Sequence, residues 1–456
     1  MNAQDDLRIV AINGCLGYGF DPASLAAAGA ESPHMFGADS GSTDAGPYYL
    51  GSGASLIRRE QMRRDLSLAL AQARASRVPL VIGSAAMGGG APHLLWMREL
   101  LLEIAREQGH RLRLATIGAE IPRERVLRAL DQGGIAPMPG VGPLTAEAVR
   151  SSVRIVGQMG TEPFARALEQ GADVVLAGRA CDTAIYAALP IARGFDPGLA
   201  LHLAKIMECG AQCAIPQGTA DSLLGVLRRD HFLVRPLAAQ RACTPESVAA
   251  HTMYEQNDPL RLVEPEGQVD LSDARFDAVD TRTVRVSGSR FVPAPGLTIK
   301  LEGARSCGFR SFVLAGVRDA AVIANLDAIE VTVRGIVRAN LPAGLREDDY
   351  ELGFRVYGRD AVLGRNEPLR TRPSHEVGIL VEAVAPTQEQ ASHVLSLARS
   401  SLLHCPFPGR KTTAGNLAFP FSPSDSAAGE VFEFSVYHLM QVEAGENLFP
   451  VEMEWT

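Results

Sequence analysis

The sequence predicts an α/β fold class: a Rossmann-like parallel-sheet N-terminal domain, then a C-terminal α+β domain of ferredoxin-like (βαββαβ) pattern. Three observations carry this. Short aliphatic and β-branched runs alternate with amphipathic helical runs through the first half. Those apolar runs show little alternation, as a sheet covered on both faces requires. Nearly every one ends in a glycine-containing turn.

The elements follow in order. "LRIVAING" reads as a buried strand. "SLIRREQMRRDLSLALAQARAS" carries apolar residues at three- and four-residue spacing and reads as a helix. "VPLVIGSA" and "LRLATIGAEI" are strands, separated by the helix "PHLLWMRELLLEIAREQG" and followed by "RERVLRALDQG". "VRIVGQMG" and "ADVVLAG" continue the strand series, with "TEPFARALEQG" and "DTAIYAALPIARG" as helices. A polar, proline-rich passage with β character spans 215–306. The domains are expected to be 1–280 and 281–456. In the second, "GFRSFVLAGV", "YELGFRVYG", "EVGILVEAVA" and "EVFEFSVYHLMQVE" are strands. "AAVIANLDAIEVTVRGIVRANL" and "TQEQASHVLSLARSSLLHC" are helices, the latter opened by Thr387 as cap.

Composition bounds the function. The chain has 456 residues and a formal net charge of -8, with a sequence pI of about 5.8. An acid excess argues against nucleic acid as partner. No apolar run of 18 or more residues appears, so no membrane span is expected. The acidic start "MNAQDDLRIV" does not read as a signal peptide. The seven scattered cysteines form no CxxC pair, so a reduced, cytoplasmic protein is expected.

Ligands of parallel α/β sheets bind beyond the carboxyl ends of the strands. The turns there are "NGCLGYG" (13–19), "GSAAMGGGAP" (83–92), "GAE" (118–120), "GQMG" (157–160) and "GRACDT" (178–183). No Walker A sequence is present, and "GCLGYG" has the wrong spacing for a dinucleotide fingerprint. No cofactor and no metal is therefore expected, although Asp39, Asp44 and Asp182 are conceivable ligands. Gly88 and Gly89 precede a helix and suit an anion. Arg179 suits a carboxylate or phosphate, and Asp182 is either a helix cap or an acid/base group. Lys205 and Glu208 read as a surface pair, and Cys209 as an apolar residue or a nucleophile. His438 reads as a satisfied strand histidine. In "HCPFPGRKTTAGNLAFPFSPSD" (404–425), Arg410 and Lys411 beside hydroxyl groups suit an anionic ligand or an interface.

"GADSGSTDAGPYYLGSG" (37–53) has one long aliphatic side chain, Leu50, and reads as a loop outside the core. It is expected to wall or close over an active site, with Asx turns on the surface as the alternative.

Several long motifs in order, namely "GADSGSTDAGPYYLG", "ADVVLAGRACDTA", "ECGAQ", "GRKTTAGNLAFPFSPSD" and "FSVYHLMQVE", resemble the acyclic terpene utilisation (AtuA-like) family over nearly the whole chain. The resemblance implies a catabolic enzyme acting on an acyl-CoA or carboxylic acid. It carries over no catalytic residues.

The expectation is a hydro-lyase or isomerase working by acid/base chemistry next to a carbonyl. Asp39, Glu120 and Asp182 are the catalytic candidates. Ser40, Gly41, Ser42, Thr43, Tyr48, Tyr49, Gly88, Gly89, Gln158, Arg179, Thr183, Arg410 and Lys411 are the substrate-binding candidates. The alternatives are a hydrolase or acyltransferase using Cys209 or a serine of 40–42, and a non-catalytic subunit or scaffold. A small anionic substrate, a homo-oligomer and a small partner subunit are the expected partners.

Overall fold

The computed structural model describes residues 6–218, 221–443 and 445–455. The chain forms two compact units: Met1–Arg305 with Phe434–Thr456, and Ser306–Glu433. The boundary read from sequence, near residue 280, falls inside the first unit. There Val284–Ser287 pairs with His231–Pro236, and residues 301–304 pair with 154–157.

Five parallel strands centre the first unit: β1 (Leu7–Ala11), β2 (Met35–Asp39), β3 (Leu80–Gly83), β4 (Arg113–Ile117) and β5 (Val174–Ala177). Their spatial order is β1-β2-β3-β5-β4. Antiparallel strands extend both edges. Leu223–Leu227, His231–Pro236, Val284–Ser287 and Arg275–Ala278 lie beyond β1, and Val451–Trp455 lies beyond β4. The sheet is thus mixed, ten-stranded and parallel at its centre.

Successive strand residues serve opposite faces, and both faces are covered. Val10, Phe36, Ile82 and Leu176 pack under α1 (Arg59–Ser76) and α2 (Ala91–Glu107). Ile9, Met35, Val81 and Val175 pack against α3 (Asp182–Ala192) and α4 (Pro197–Met207). Each fully buried aliphatic side chain contributes about 1.5–3 kcal/mol, which is why these strands read as unbroken apolar runs.

Two strand assignments change. Residues 37–39, assigned to a loop outside the core, complete β2, whose five residues are all buried. Gly37 is required there because a Cβ would stand 2.5 Å from the ring of Tyr186 on α3. "VRIVGQMG" leaves the parallel series: Arg154–Gly157 pairs antiparallel with the long strand Thr298–Val317.

The second unit follows the order strand, helix, strand, strand, helix, strand, with Leu326–Ala339 and Gln388–His404 as its longer helices. Ile329, Val333 and Val337 recur every four residues and pack with Val394, Leu395 and Ile379. Thr387 caps its helix by accepting the Gln390 N–H at 3.2 Å. Among the described residues, no helix is long and apolar enough to cross a membrane.

Candidate functional site

The crevice begins at a change of side. After β3 the chain passes to α2 on one face of the sheet; after the neighbouring β5 it passes to α3 on the other. Such a point opens a cleft at the carboxyl ends of two adjacent strands. The turns 84–90 and 178–181 meet there. Gly89 accepts the Arg179 N–H at 3.1 Å. A Cβ on Gly89 would stand 2.3 Å from that nitrogen, and its φ is +63°. In the same turn Ser84, Ala86 and Met87 take positive φ values of 49°, 49° and 80°. Non-glycine residues in this region store strain of about 1–3 kcal/mol each, and such strain clusters at functional sites.

Four buried polar atoms have no hydrogen-bond partner among the described residues around this cleft: Asn13 Oδ1, Asp39 Oδ1, Asp182 Oδ1 and the Tyr186 hydroxyl. They belong to the ends of β1, β2 and β5 and to α3. Buried polar groups are nearly always paired, so a cluster of orphans calls for a ligand or water. Asp39 Oδ2 accepts the Gly41 N–H at 2.9 Å. Burial, then the charge of Asp182, pushes the Asp39 carboxyl well above the usual range. Asp182 is also raised by burial, but Arg179 and Lys205 pull it back. Asp182 is the first residue of α3, and Cys181 occupies the cap position. The Asp182 side chain is therefore free of the capping role that its sequence position allows.

Arg179 is buried and engaged within the chain. Its Nε donates to Glu302 at 2.7 Å, and Nη1 donates to Ser84 Oγ at 3.1 Å and to the Ala180 carbonyl at 2.9 Å. Nη1 stands 3.8 Å from Asp182. Glu302 also pairs with Lys300 at 2.8 Å. Burial alone would raise Glu302, but the two cations outweigh it and hold the carboxylate at about 2. Arg179 thus organises the cleft instead of presenting a free cation.

A second group adjoins. Lys205 and Glu208, read from sequence as a surface pair, are a buried ion pair. Lys205 lies on α4, which is buried from Gly198 to Met207, and Glu208 is its C-cap. Burial raises Glu208 to about 8 despite Lys205. Thr183 donates to Glu264 at 2.7 Å, and burial raises Glu264 to about 8 as well. The Cys209 thiol is pushed up by burial and then by Glu208, and Cys15 by burial and then by Asp39. Neither is an activated thiolate.

The remaining candidates separate. Glu120 is exposed; it pairs with Arg154 at 2.7 Å and accepts the Ala91 N–H at 2.8 Å, capping α2. The Gly88 and Gly89 N–H groups bond to Ala86 and Ala85 carbonyls, so that turn has no free N–H nest for an anion. Ser40 is buried and accepts the Ala86 N–H at 3.2 Å, while Ser42 caps a short turn through Asp44 N. Neither serine has a base beside it. Gly41, at φ +114°, lies where a Cβ would meet Met87 Sδ at 2.0 Å. Tyr48 and Tyr49 lie on helix Pro47–Ser52, which Arg154 and His93 anchor through the carbonyls of Leu50, Gly51 and Tyr49. Those hydrogen bonds hold the segment in place. Thr43 and Asp44 line a cavity of about 450 Å³ with Tyr437 and His438. His438 is buried and satisfied, with Nε2 3.0 Å from the Gly142 carbonyl.

Gln158 lines a cavity of about 700 Å³ together with Glu264 and Lys300. Arg410 and Lys411 belong to the second unit, where Arg410 donates to Asn416 at 3.1 Å and staples its own loop. Sequence reasoning missed Glu302, Lys300, Glu264 and Tyr186. Only Tyr186 carried a signal, as an aromatic four residues after Asp182 on the helix facing glycine-containing strands.

No curated protein and no solved structure matches the chain. The model of the family described as "Acyclic terpene utilisation family protein AtuA" matches residues 59–218 and 231–423. With most of both units inside that match, the chain belongs to the acyclic terpene utilisation family.

Proposed function

We propose that the chain is a catabolic enzyme acting on a carboxylic acid or its acyl-CoA thioester by acid/base chemistry next to a carbonyl, in acyclic terpene utilisation. The buried polar atoms of Asp39, Asp182, Tyr186 and Asn13 that lack a hydrogen-bond partner at or beside the strand ends carry the reading. Two carboxyls in unlike surroundings divide the work of acid and base. Asp182, kept closer to ionisation by Arg179 and Lys205, takes the proton α to the carbonyl. Asp39, its carboxyl held well above the usual range by burial and by the charge of Asp182, returns a proton to the departing or developing oxygen. Tyr186 and Asn13 orient the substrate. Hydration, dehydration and isomerisation all share this proton transfer.

The helix-covered parallel core supports a Rossmann-like assignment. The order Glu351–Tyr357, Val377–Ala385, Thr298–Val317, Asp425–Gln441 supports a ferredoxin-like one. We read the protein as a cytoplasmic homo-oligomer.

The test is α-proton exchange of an acyl-CoA in deuterated water, followed by NMR. Wild-type protein should catalyse exchange, and Asp182→Asn and Asp39→Asn should each slow it at least a hundredfold. Exchange at the wild-type rate in both variants would remove the cleft from the chemistry.

A further inference from the structure

The sheet of the second unit carries its helices on one face. On its strand Val377–Ala385, the residues Val377, Ile379, Val381 and Ala383 are buried with Val333, Val394 and Leu395 of those helices. Successive side chains of a strand serve opposite faces. Gly378, Leu380, Glu382 and Val384 therefore stand on the other face. That face keeps apolar surface. Leu314 is 40% exposed and Tyr357 49%, and Leu380 and Val384 are half-buried. None of the four belongs to an apolar cluster of the described residues.

Charge on the face sums to zero. Glu382 receives both Arg310, at 3.1 Å, and Arg355, at 3.0 Å. One carboxylate between two cations leaves one positive unit, and the exposed Glu351 supplies the matching negative one. The whole chain has a net charge of -8 and repels its own copy. A neutral face with apolar rows is where that repulsion is weakest.

The register makes the face complementary to itself. Arg310 pairs with Val384, which pairs with Glu351, so the two opposite charges flank the middle strand at one level. Two levels on, Leu314 and Arg355 flank Leu380. At the next, Gly316 and Tyr357 flank Gly378. A two-fold axis laid along the middle strand exchanges the two flanks. Arg310 of one copy then stands over Glu351 of the other, and the reverse. Tyr357 stands over Gly316, where a Cβ would meet nothing nearer than 3.8 Å, so there is room for the ring. Leu314 lies against the aliphatic stem of Arg355. Leu380 and Val384 lie on the axis and meet themselves. Glu382 also meets itself, with an arginine on each side in both copies. Two such sheets pack about 10 Å apart, aligned within about 30°.

We infer that a second copy of the chain docks on this open sheet face, about a two-fold axis along Val377–Ala385, with Arg310 of each copy on Glu351 of the other. The assignment names the surface of the homo-oligomer read above and rests on that reading.

Sedimentation velocity of the full chain, from about 1 to about 100 µM, tests this. Wild-type protein should reach two copies, or a multiple of two, at the upper end. Leu380→Arg sets two like charges together on the axis and should weaken association about a hundredfold. Glu351→Arg and Arg310→Glu should each weaken it about tenfold, and the two together should restore it. Val331→Arg, at a helix position of the same unit that is 71% exposed, should leave it unchanged. Thermal melting will verify that each variant is folded. A wild-type monomer over the whole range would overturn the homo-oligomer and this surface together. A wild-type oligomer that folded Leu380→Arg and Glu351→Arg variants leave intact would overturn this surface alone. So would a double variant that associates no better than the single ones.

Discussion

Glu302 is the residue on which the cleft's electrostatics turn. It is fully buried between Arg179 and Lys300 and held at about 2 against an ordinary 4.5. A lowered carboxyl contributes stability above its unfolded value, and that contribution is lost as pH falls from about 4.5 toward 2. Glu264 has the opposite sign. Raised to about 8, it contributes fully below 4.5, and the contribution is lost as pH rises toward 8. Melting curves across pH should therefore show Glu302→Gln removing part of the acid-side slope and Glu264→Gln flattening the fall toward pH 8. At neutral pH, Glu302→Gln leaves two cations facing one another and should cost about 3–5 kcal/mol; a loss below 1 kcal/mol would mean the pair is not buried in solution. None of this was legible in the sequence. Glu302 sits in "TIKLEGARS", a strand with no motif, and its partner Arg179 lies 123 positions away. The places of Asp39 and Asp182 at strand ends were more legible, because each follows an apolar run.

At the scale of elements, the turn 84–90 decides whether the two sides of the cleft meet. Gly89→Ala forces a Cβ to 2.3 Å from the Arg179 backbone at a φ of +63°. It should lower stability by about 2 kcal/mol or more and displace Arg179. A variant with wild-type melting and wild-type exchange would show that the turns need not touch. The glycine-rich turns were visible in the sequence, but their role was not: they were expected to receive an anion, and they serve close approach instead. Strand β2 escaped notice for a related reason. "MFGAD" carries small residues where α3 packs against it, and smallness reads as loop until the helix that demands it is seen.

At the scale of the first unit, the chain returns to complete its own sheet. Val451–Trp455 pairs with β4, Arg98 holds Glu454 at 2.5–2.6 Å, and Arg125 holds Glu446 at 2.5 Å. Ending the chain after Val442 uncovers the edge of β4, and exposed edges template aggregation. That truncation should yield protein that melts lower and aggregates; an equally stable monomer would show the closing strand to be dispensable. Such pairings join residues more than 300 positions apart, and no local pattern in the sequence encodes them. The alternation of strand and helix, by contrast, is written in apolar spacing, and the family motifs extend across both units.

The most direct test of the central claim is the carboxyl infrared band of the folded protein at pH 7. Burial and the charge of Asp182 hold the Asp39 carboxyl well above the usual range, so the protonated-carboxyl band of wild-type protein, to which Glu208 and Glu264 also contribute, should lose intensity in Asp39→Asn. The same variant should lose α-proton exchange. An unchanged band in Asp39→Asn would mean that Asp39 is ionised, and the assignment of acid and base in the cleft would be contradicted.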